Sequence, residues 1–265
     1  MTWLQIIVLA VIQGLTEFLP ISSSGHLVLM PNLAGWADQG LVFDVAVHFG
    51  SLIAVCVFFR EDIAGLLRGG MGLLGGQSTE LERRMALGIG LGTVPAAVAG
   101  LLFAGWIEAN LRDPLVVVTT LAAYGVLMAV ADRYGRRARI IADIKLGDAM
   151  IIGCAQALAL IPGTSRSGVT ITAGLALGLQ RRDAARFSFL LSAPVILLAS
   201  GYEFIGMLLS EDTISWGQLA VGAAISAVVA YLSIDFFMRF VNRIGLLPFA
   251  IYRLLLAGLI LYALA

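Results

Sequence analysis

Gln13 and Glu17 stand four residues apart in a stretch that is otherwise apolar, so a helix would put both on one face. Just beyond them comes Pro20-Ile21-Ser22-Ser23-Ser24-Gly25-His26, ending on one of only two histidines in the chain. Far downstream a second polar run reads Pro162-Gly163-Thr164-Ser165-Arg166-Ser167-Gly168. Together these residues suit the handling of an anion, with phosphate favoured. Small residues allow close backbone approach, and the amides at a helix start point at whatever fills the turn. A guanidinium fork matches phosphate oxygens. Either His26 or Ser23 could attack a phosphoryl group or activate water, and Glu17 could accept a proton or hold a cation. The candidate catalytic residues are therefore Glu17, Ser23, His26 and Arg166. The candidate substrate-binding residues are Ser22, Ser24, Gly163, Thr164, Ser165, Ser167 and Thr170. A single Ser-rich turn before a helix is usually no more than an N-cap. Two of them, one carrying an Arg and the other preceded by a Glu, ask for more.

Other polar residues have plainer readings. His48 and Asp44 lie one helical turn apart and read as partners or as cavity lining. Asp132, Glu203, Asp235 and Arg253 fall near the ends of apolar stretches, where snorkelling or loop pairing accounts for them. Cys56 and Cys154 both sit in apolar runs and read as small core residues rather than a disulfide or a metal pair.

The elements that position the two polar runs must lie in a bilayer. Of 265 residues, 60% are hydrophobic and only 13% charged, with a mean hydropathy of +0.95. That is about half the charge of an ordinary soluble domain, which excludes a typical cytosolic enzyme, a disordered chain and a basic nucleic-acid binder. The first basic residue is Arg60, so the N-terminal apolar stretch lacks the positive region of a secretory signal and is expected to stay. Six stretches are long enough to span: 41–60, 85–107, 114–132, 186–209, 216–238 and 246–264. The two polar runs break shorter apolar segments. Backbone freed at membrane depth is tolerated only where protein or a watery cavity covers it, so both read as re-entrant helical hairpins.

Charge placement supports that topology. With both hairpins returning to the side they left, Arg60, Arg68, Arg83, Arg84, Arg133, Arg136, Arg137, Arg139, Lys145, Arg181, Arg182, Arg186, Arg239 and Arg243 share one face. By the positive-inside rule that face is cytoplasmic. The opposite loops hold Asp38, Glu108, Asp113, Glu211 and Asp212 against a single Arg112. The hairpins also align with each other without gaps. Gln13, Leu15, Ser22, Ser24 and Gly25 match Gln156, Leu158, Ser165, Ser167 and Gly168 at one offset, 156 − 13 = 143. Each hairpin precedes three spans, and three is odd, so the second copy is inverted. The expected fold is an all-α integral membrane protein with six transmembrane helices and two re-entrant hairpins in an inverted-topology repeat. Residues 1–265 form one membrane domain: repeat one is 1–135 with its hairpin at 1–35, and repeat two is 146–265 with its hairpin at 148–180.

At these residues the chain resembles the undecaprenyl-diphosphate phosphatases of the bacitracin-resistance type. The first family motif is similar to Gln13-Gly-Leu-Thr-Glu17 leading into His26. The second, Pro-Gly-x-Ser-Arg-Ser-x-x-Thr, matches 162–170 at every specified position. Gln13 is a departure, since many members carry an acid there, and this leaves Glu17 as the main metal candidate with Gln13 beside it. The resemblance implies hydrolysis of undecaprenyl diphosphate to the monophosphate and phosphate, which recycles the lipid carrier for wall synthesis and confers bacitracin resistance. It also implies a divalent cation, Mg²⁺ or Ca²⁺, and a bacterial inner-membrane site opening to the periplasm. Position by position it carries function onto Glu17, Ser23, His26, Ser165, Arg166 and Thr170. The expected partners are the polyprenyl diphosphate lipid and the bilayer, with a homodimer left open and no nucleic acid. The competing reading is a polyprenyl-phosphate transporter or flippase built on the same inverted repeat. His26 and Ser23 remain equal candidates for the nucleophile.

Overall fold

Helix-start chemistry sets the boundaries of the elements. Thr2 caps the first helix and Thr79 the fifth. In each, the threonine hydroxyl accepts the third amide while Gln5 or Glu82 reaches back to the cap amide. Asp113 caps the sixth, with Pro114 in its first turn. The computed structural model is helical throughout. α1 (Trp3–Thr16) and α2 (Ser23–Ala34) are followed by α3 (Leu41–Phe58), α4 (Arg60–Leu73), α5 (Glu80–Asn110) and α6 (Pro114–Tyr134). Then come α7 (Leu146–Ala157), α8 (Arg166–Ala176), α9 (Arg181–Leu209), α10 (Trp216–Ile244) and α11 (Leu247–Leu264). The structure describes residues 1–264 except 38, 112 and 210–214, and the side chains of 28, 31–33, 108, 207–209, 263 and 264 are also outside the description. The outer-loop charges Asp38, Glu108, Arg112, Glu211 and Asp212 therefore lie outside the described residues.

Among the described residues, five helices are long and apolar enough to cross a membrane: Leu41–Phe58, Glu80–Ile107, Pro114–Tyr134, Arg181–Gly206 and Trp216–Ile244. They coincide with the first five expected spans. The sixth, 246–264, corresponds to α11, whose fully described part, Leu247–Tyr262, is a shorter apolar helix. Both polar runs do break a helix. α1 and α2 are separated at 17–22, and α7 and α8 at a short 3-10 turn followed by 161–165. The amphipathic α4, rich in Gly and charge, is an element that hydropathy alone passed over.

Large apolar side chains coat the outside, among them Leu101, Leu102, Leu255 and Tyr262. A hydrocarbon surround tolerates this surface and water does not. Inside, Phe18, Phe59, Phe189 and Phe237 anchor a core shared by the two halves of the chain. Backbone contact makes the packing tight. A Cβ on Gly153 would stand 2.3 Å from the Gly92 carbonyl oxygen, and one on Gly50 would stand 2.2 Å from that of Ala223. Glycine thus lets α7 lie on α5, and α3 on α10, closer than any larger residue permits.

The Arg-bearing ends gather together. Arg186 pairs with Asp62, Arg181 with Asp132, Arg68 with Glu82, and Arg139 with Asp148. Leu246 donates its amide to Asp132, and Arg84 donates to the Ala142 carbonyl. The Asp148 bond raises the pKa of the Arg139 guanidinium above its usual value. Around α7 and α8 the chain leaves and returns at the same end. The Arg139 amide donates to Gly178, Gln180 donates to Arg139, and Arg139 and Leu179 form an isolated β-bridge. Loop pairing thus accounts for Asp132, and Asp235 pairs with Arg239 one turn on. Two expectations fail. Cys154 is exposed on α7 rather than in the core, whereas Cys56 is half-buried against it, and both are free. Arg253 does not snorkel: it is fully buried.

Candidate functional site

Glu17 ends α1 and is 7% exposed, at the point where both broken helices meet. Its Oε1 accepts a hydrogen bond from Arg166 Nη2 at 2.6 Å. Its Oε2 accepts from Ser23 Oγ at 2.8 Å and from Gln13 Nε2 at 3.1 Å. Ser23 is the first residue of α2 and Arg166 the first of α8, so the starts of two half-helices converge on one carboxylate. They are also equivalent under the 143-residue offset (166 − 23 = 143). Arg166 is oriented further by the Ser188 carbonyl at 3.4 Å and by the ring of Phe18, 5.7 Å from its guanidinium carbon.

The turns that deliver Ser23 and Arg166 have matching local geometry. Ser22 has φ 75° and Ser165 φ 70°, the left-handed region that a residue with a Cβ enters only at a cost. Ser22 Oγ lies 3.4 Å from Ser24 Oγ, and Ser165 Oγ lies 3.4 Å from Ser167 Oγ. Gly163 needs its glycine, because φ is 86° and a Cβ there would meet Thr120 Oγ1 at 2.3 Å. Ser165 Oγ accepts the Gly168 amide and so caps α8. Ser167 Oγ donates to the Leu19 carbonyl at 3.1 Å, stitching the second turn to the first. Thr170 donates to the Arg166 carbonyl and meets Ser188 Oγ at 2.6 Å. These three hydroxyls brace the site from behind. Thr164, fully buried, has a hydroxyl with no partner, while Ser24 is exposed.

His26 is held apart from the carboxylate. Its Nδ1 lies 2.7 Å from the Ser22 carbonyl, which can only accept, so Nδ1 carries the proton. Nε2 is then the acceptor for the Tyr252 hydroxyl at 2.6 Å. The histidine beside Glu17 is instead His48, whose Nε2 stands 3.7 Å from Oε2 while its Nδ1 donates to the Asp44 carbonyl. Of the two readings that the spacing offers, a His48–Asp44 pair or cavity lining, the second agrees with the ring beside Glu17, and the bond to Asp44 is to its backbone. Tyr252, whose hydroxyl meets His26, is not singled out by the sequence, and Arg253 is read there only as a snorkelling or loop-paired charge. A pattern search could have flagged only Arg253, as a charge in an apolar helix.

For a divalent cation the donors are few. Among the described residues no three His, Cys, Asp or Glu side chains cluster. Gln13 Oε1, however, is a buried acceptor with no partner, on the residue whose amide nitrogen already touches Glu17. One carboxylate and one free amide oxygen fit an ion of the Mg²⁺ or Ca²⁺ type that takes its remaining ligands from substrate and water.

The chain matches the family described as bacitracin resistance protein BacA over residues 6–259, a range that takes in both polar turns. An undecaprenyl-diphosphatase of Teredinibacter turnerae is 53% identical over 263 residues, covering 99% of this chain and 100% of that protein. Another, of Hahella chejuensis, is 53% identical across 99% of this chain and 98% of its own length. The undecaprenyl-diphosphatase 2 of Stutzerimonas stutzeri is 51% identical over 98% of each chain. With a family match along nearly its whole length and relatives this similar, the chain belongs to the BacA bacitracin-resistance family.

Proposed function

We propose that the chain hydrolyses undecaprenyl diphosphate to undecaprenyl phosphate and inorganic phosphate, recycling the lipid carrier for wall synthesis and conferring bacitracin resistance. The relatives' names point there. The observation that carries it is the Ser23 hydroxyl donating to Glu17 while Arg166 neutralises the other carboxylate oxygen. A nucleophile, its proton acceptor and an anion clamp thus stand together among apolar helices. Ser23 is favoured over His26 because its proton already points at a base, whereas both ring nitrogens of His26 are engaged.

Ser23 Oγ attacks the terminal phosphorus and its proton passes to Glu17. The bridging P–O bond breaks, and its electron pair leaves on undecaprenyl phosphate. Water then attacks the phosphoserine, Ser23 Oγ leaves with the proton returned by Glu17, and inorganic phosphate departs. Arg166 swings between Glu17 and the phosphoryl oxygens, and the Thr164 hydroxyl and the turn amides complete the cradle. Such a site works chiefly by positioning and charge neutralisation. Glu17 and Gln13 would hold the divalent cation, which supplies further neutralisation of diphosphate charge.

The architecture proposed around this chemistry has six spans and two re-entrant hairpins in an inverted repeat, in the bacterial inner membrane. Three observations support it: the matched left-handed serines, the paired starts of α2 and α8 on Glu17, and the return of α8 to the end where α7 began. The Arg-bearing ends would face the cytoplasm, with the site opening to the periplasm. The test is phosphate release from undecaprenyl diphosphate by purified protein in detergent. Release that EDTA stops and Mg²⁺ or Ca²⁺ restores is expected. No release beside an active control enzyme would refute hydrolysis and leave transport as the reading to pursue.

A further inference from the structure

We propose that Arg253 is a positioning residue for this phosphoryl transfer, one buried guanidinium that holds the two strained turns at a fixed spacing. Its surroundings are unusual for a cation. Arg253 has no exposure to solvent, and among the described residues it forms no salt bridge. Among the described residues, its hydrogen bonds all go to backbone carbonyls. Nη2 donates to Thr164 at 2.9 Å and to Gly163 at 3.0 Å in the second turn, while Nη1 reaches Pro20 at 3.5 Å in the first. Nε donates to Leu121 at 3.2 Å, anchoring the fork on α6.

Pro20 and Gly163 are equivalent under the offset of the two hairpins (163 − 20 = 143), so a single side chain bridges the same carbonyl in both. Each of those carbonyls lies two residues before a left-handed serine, Ser22 or Ser165. In a trans peptide the carbonyl and the following amide point opposite ways. Drawing the Thr164 carbonyl onto Arg253 therefore turns the Ser165 amide away from it, and Arg166 begins α8 one residue later. On the same helix, Tyr252 holds His26 through its hydroxyl. α11 thus reaches both hairpins, and a shift of its guanidinium would move Ser23 and Arg166 relative to each other. Arg253 acts through these turns and does not touch the reacting atoms. The guanidinium is required because its five donors are spread over three nitrogens that reach Leu121, Pro20 and the Gly163–Thr164 turn separately, whereas a lysine ammonium carries its three donors on a single nitrogen.

The inference rests on the hydrolase reading and is tested with Arg253→Lys and Arg253→Ala, assayed beside wild type in detergent. Both variants should lose at least about 10²-fold in kcat, the effect of misplacing reactive groups by about 1 Å, with KM for undecaprenyl diphosphate within about threefold. Guanidinium ion at millimolar concentration should restore Arg253→Ala at least about tenfold, since it refills the same carbonyl cradle. Three results would overturn the proposal: wild-type kcat in Arg253→Lys, a rise in KM with kcat unchanged, or a loss that tracks unfolding in size-exclusion profiles and is not rescued by guanidinium. A wild-type protein that released no phosphate would remove the hydrolase reading, and this inference with it.

Discussion

Removing Arg166 should destabilise the protein by stranding Glu17, and removing both charges should undo that damage without restoring catalysis. The pair joins Nη2 to Oε1 at 2.6 Å between side chains that are 13% and 7% exposed. Breaking such a buried pair from one side costs about 3–5 kcal/mol. Glu17 keeps the donors of Ser23 and Gln13, so the lower end of that range applies. At about 2–4 °C per kcal/mol for a chain of this size, Arg166→Met should lower the melting temperature by roughly 6–12 °C. In Glu17→Gln/Arg166→Met no charge is stranded, and an amide still accepts from Ser23. That double variant should melt within about 4 °C of wild type. Activity should behave differently. Each single variant and the double should release phosphate at least about 10³-fold more slowly, because the proton acceptor or the anion clamp is gone. Intrinsic tryptophan fluorescence in detergent reads the melting, and phosphate release reads the catalysis. If the double variant melts no higher than Arg166→Met alone, charge stranding is not the source of the loss. The packing of the guanidinium on Phe18 would then have to explain it.

Ser23→Ala should abolish turnover, by at least about 10³-fold, whereas His26→Asn should retain measurable release, and the reverse ranking would make His26 the nucleophile. Tyr252→Phe keeps the ring beside His26 but deletes the 2.6 Å hydroxyl contact, so kcat should fall by about 2- to 13-fold, the worth of one net hydrogen bond, with no change in expression. Gly153→Ala drives a methyl into the Gly92 backbone and should cost about 1–3 kcal/mol of stability, while Gly90→Ala, with nothing within 4 Å, should leave melting unchanged or raise it.

Much of the fold was legible because its signals are local. A run of apolar residues long enough to span is a property of consecutive positions, and five such runs became five apolar helices. The breaks were legible too, since Pro20, Gly163 and the clustered serines favour turns and helix starts over helix interiors. α4 was not. Arg60, Glu61, Asp62 and Arg68 lower its hydropathy, and only its packing on α5, with Arg68 on Glu82, reveals why it is helical. The overrun of helices past their apolar windows has the same origin. α5 begins at Glu80 because Thr79 and Glu82 form a capping box, a polar signal that a hydropathy window subtracts rather than adds.

At the site, what could be read was which residues stand where charge is expensive, and what could not be read was what those residues touch. Glu17 and Arg166 stand out in the sequence because charge in an apolar chain is costly, and the structure pairs them. Arg253, read as a snorkelling or loop-paired charge, was misjudged because its partners are backbone carbonyls, those of Pro20, Thr120, Leu121, Gly163 and Thr164. His48 likewise donates to a carbonyl, that of Asp44, although its ring faces Glu17 as a cavity-lining residue would. Every residue has a carbonyl, so such a bond leaves no mark in the identity of the partner. The mark it does leave is conformational. The carbonyls of Pro20, Gly163 and Thr164 lie where the helix ladder is broken, just before Ser22 and Ser165, and so stay open to a side-chain donor. The two interruptions thus do more than bring Ser23 and Arg166 to Glu17. They exposed the acceptors that let a single arginine, distant in sequence from both, be buried without a carboxylate partner.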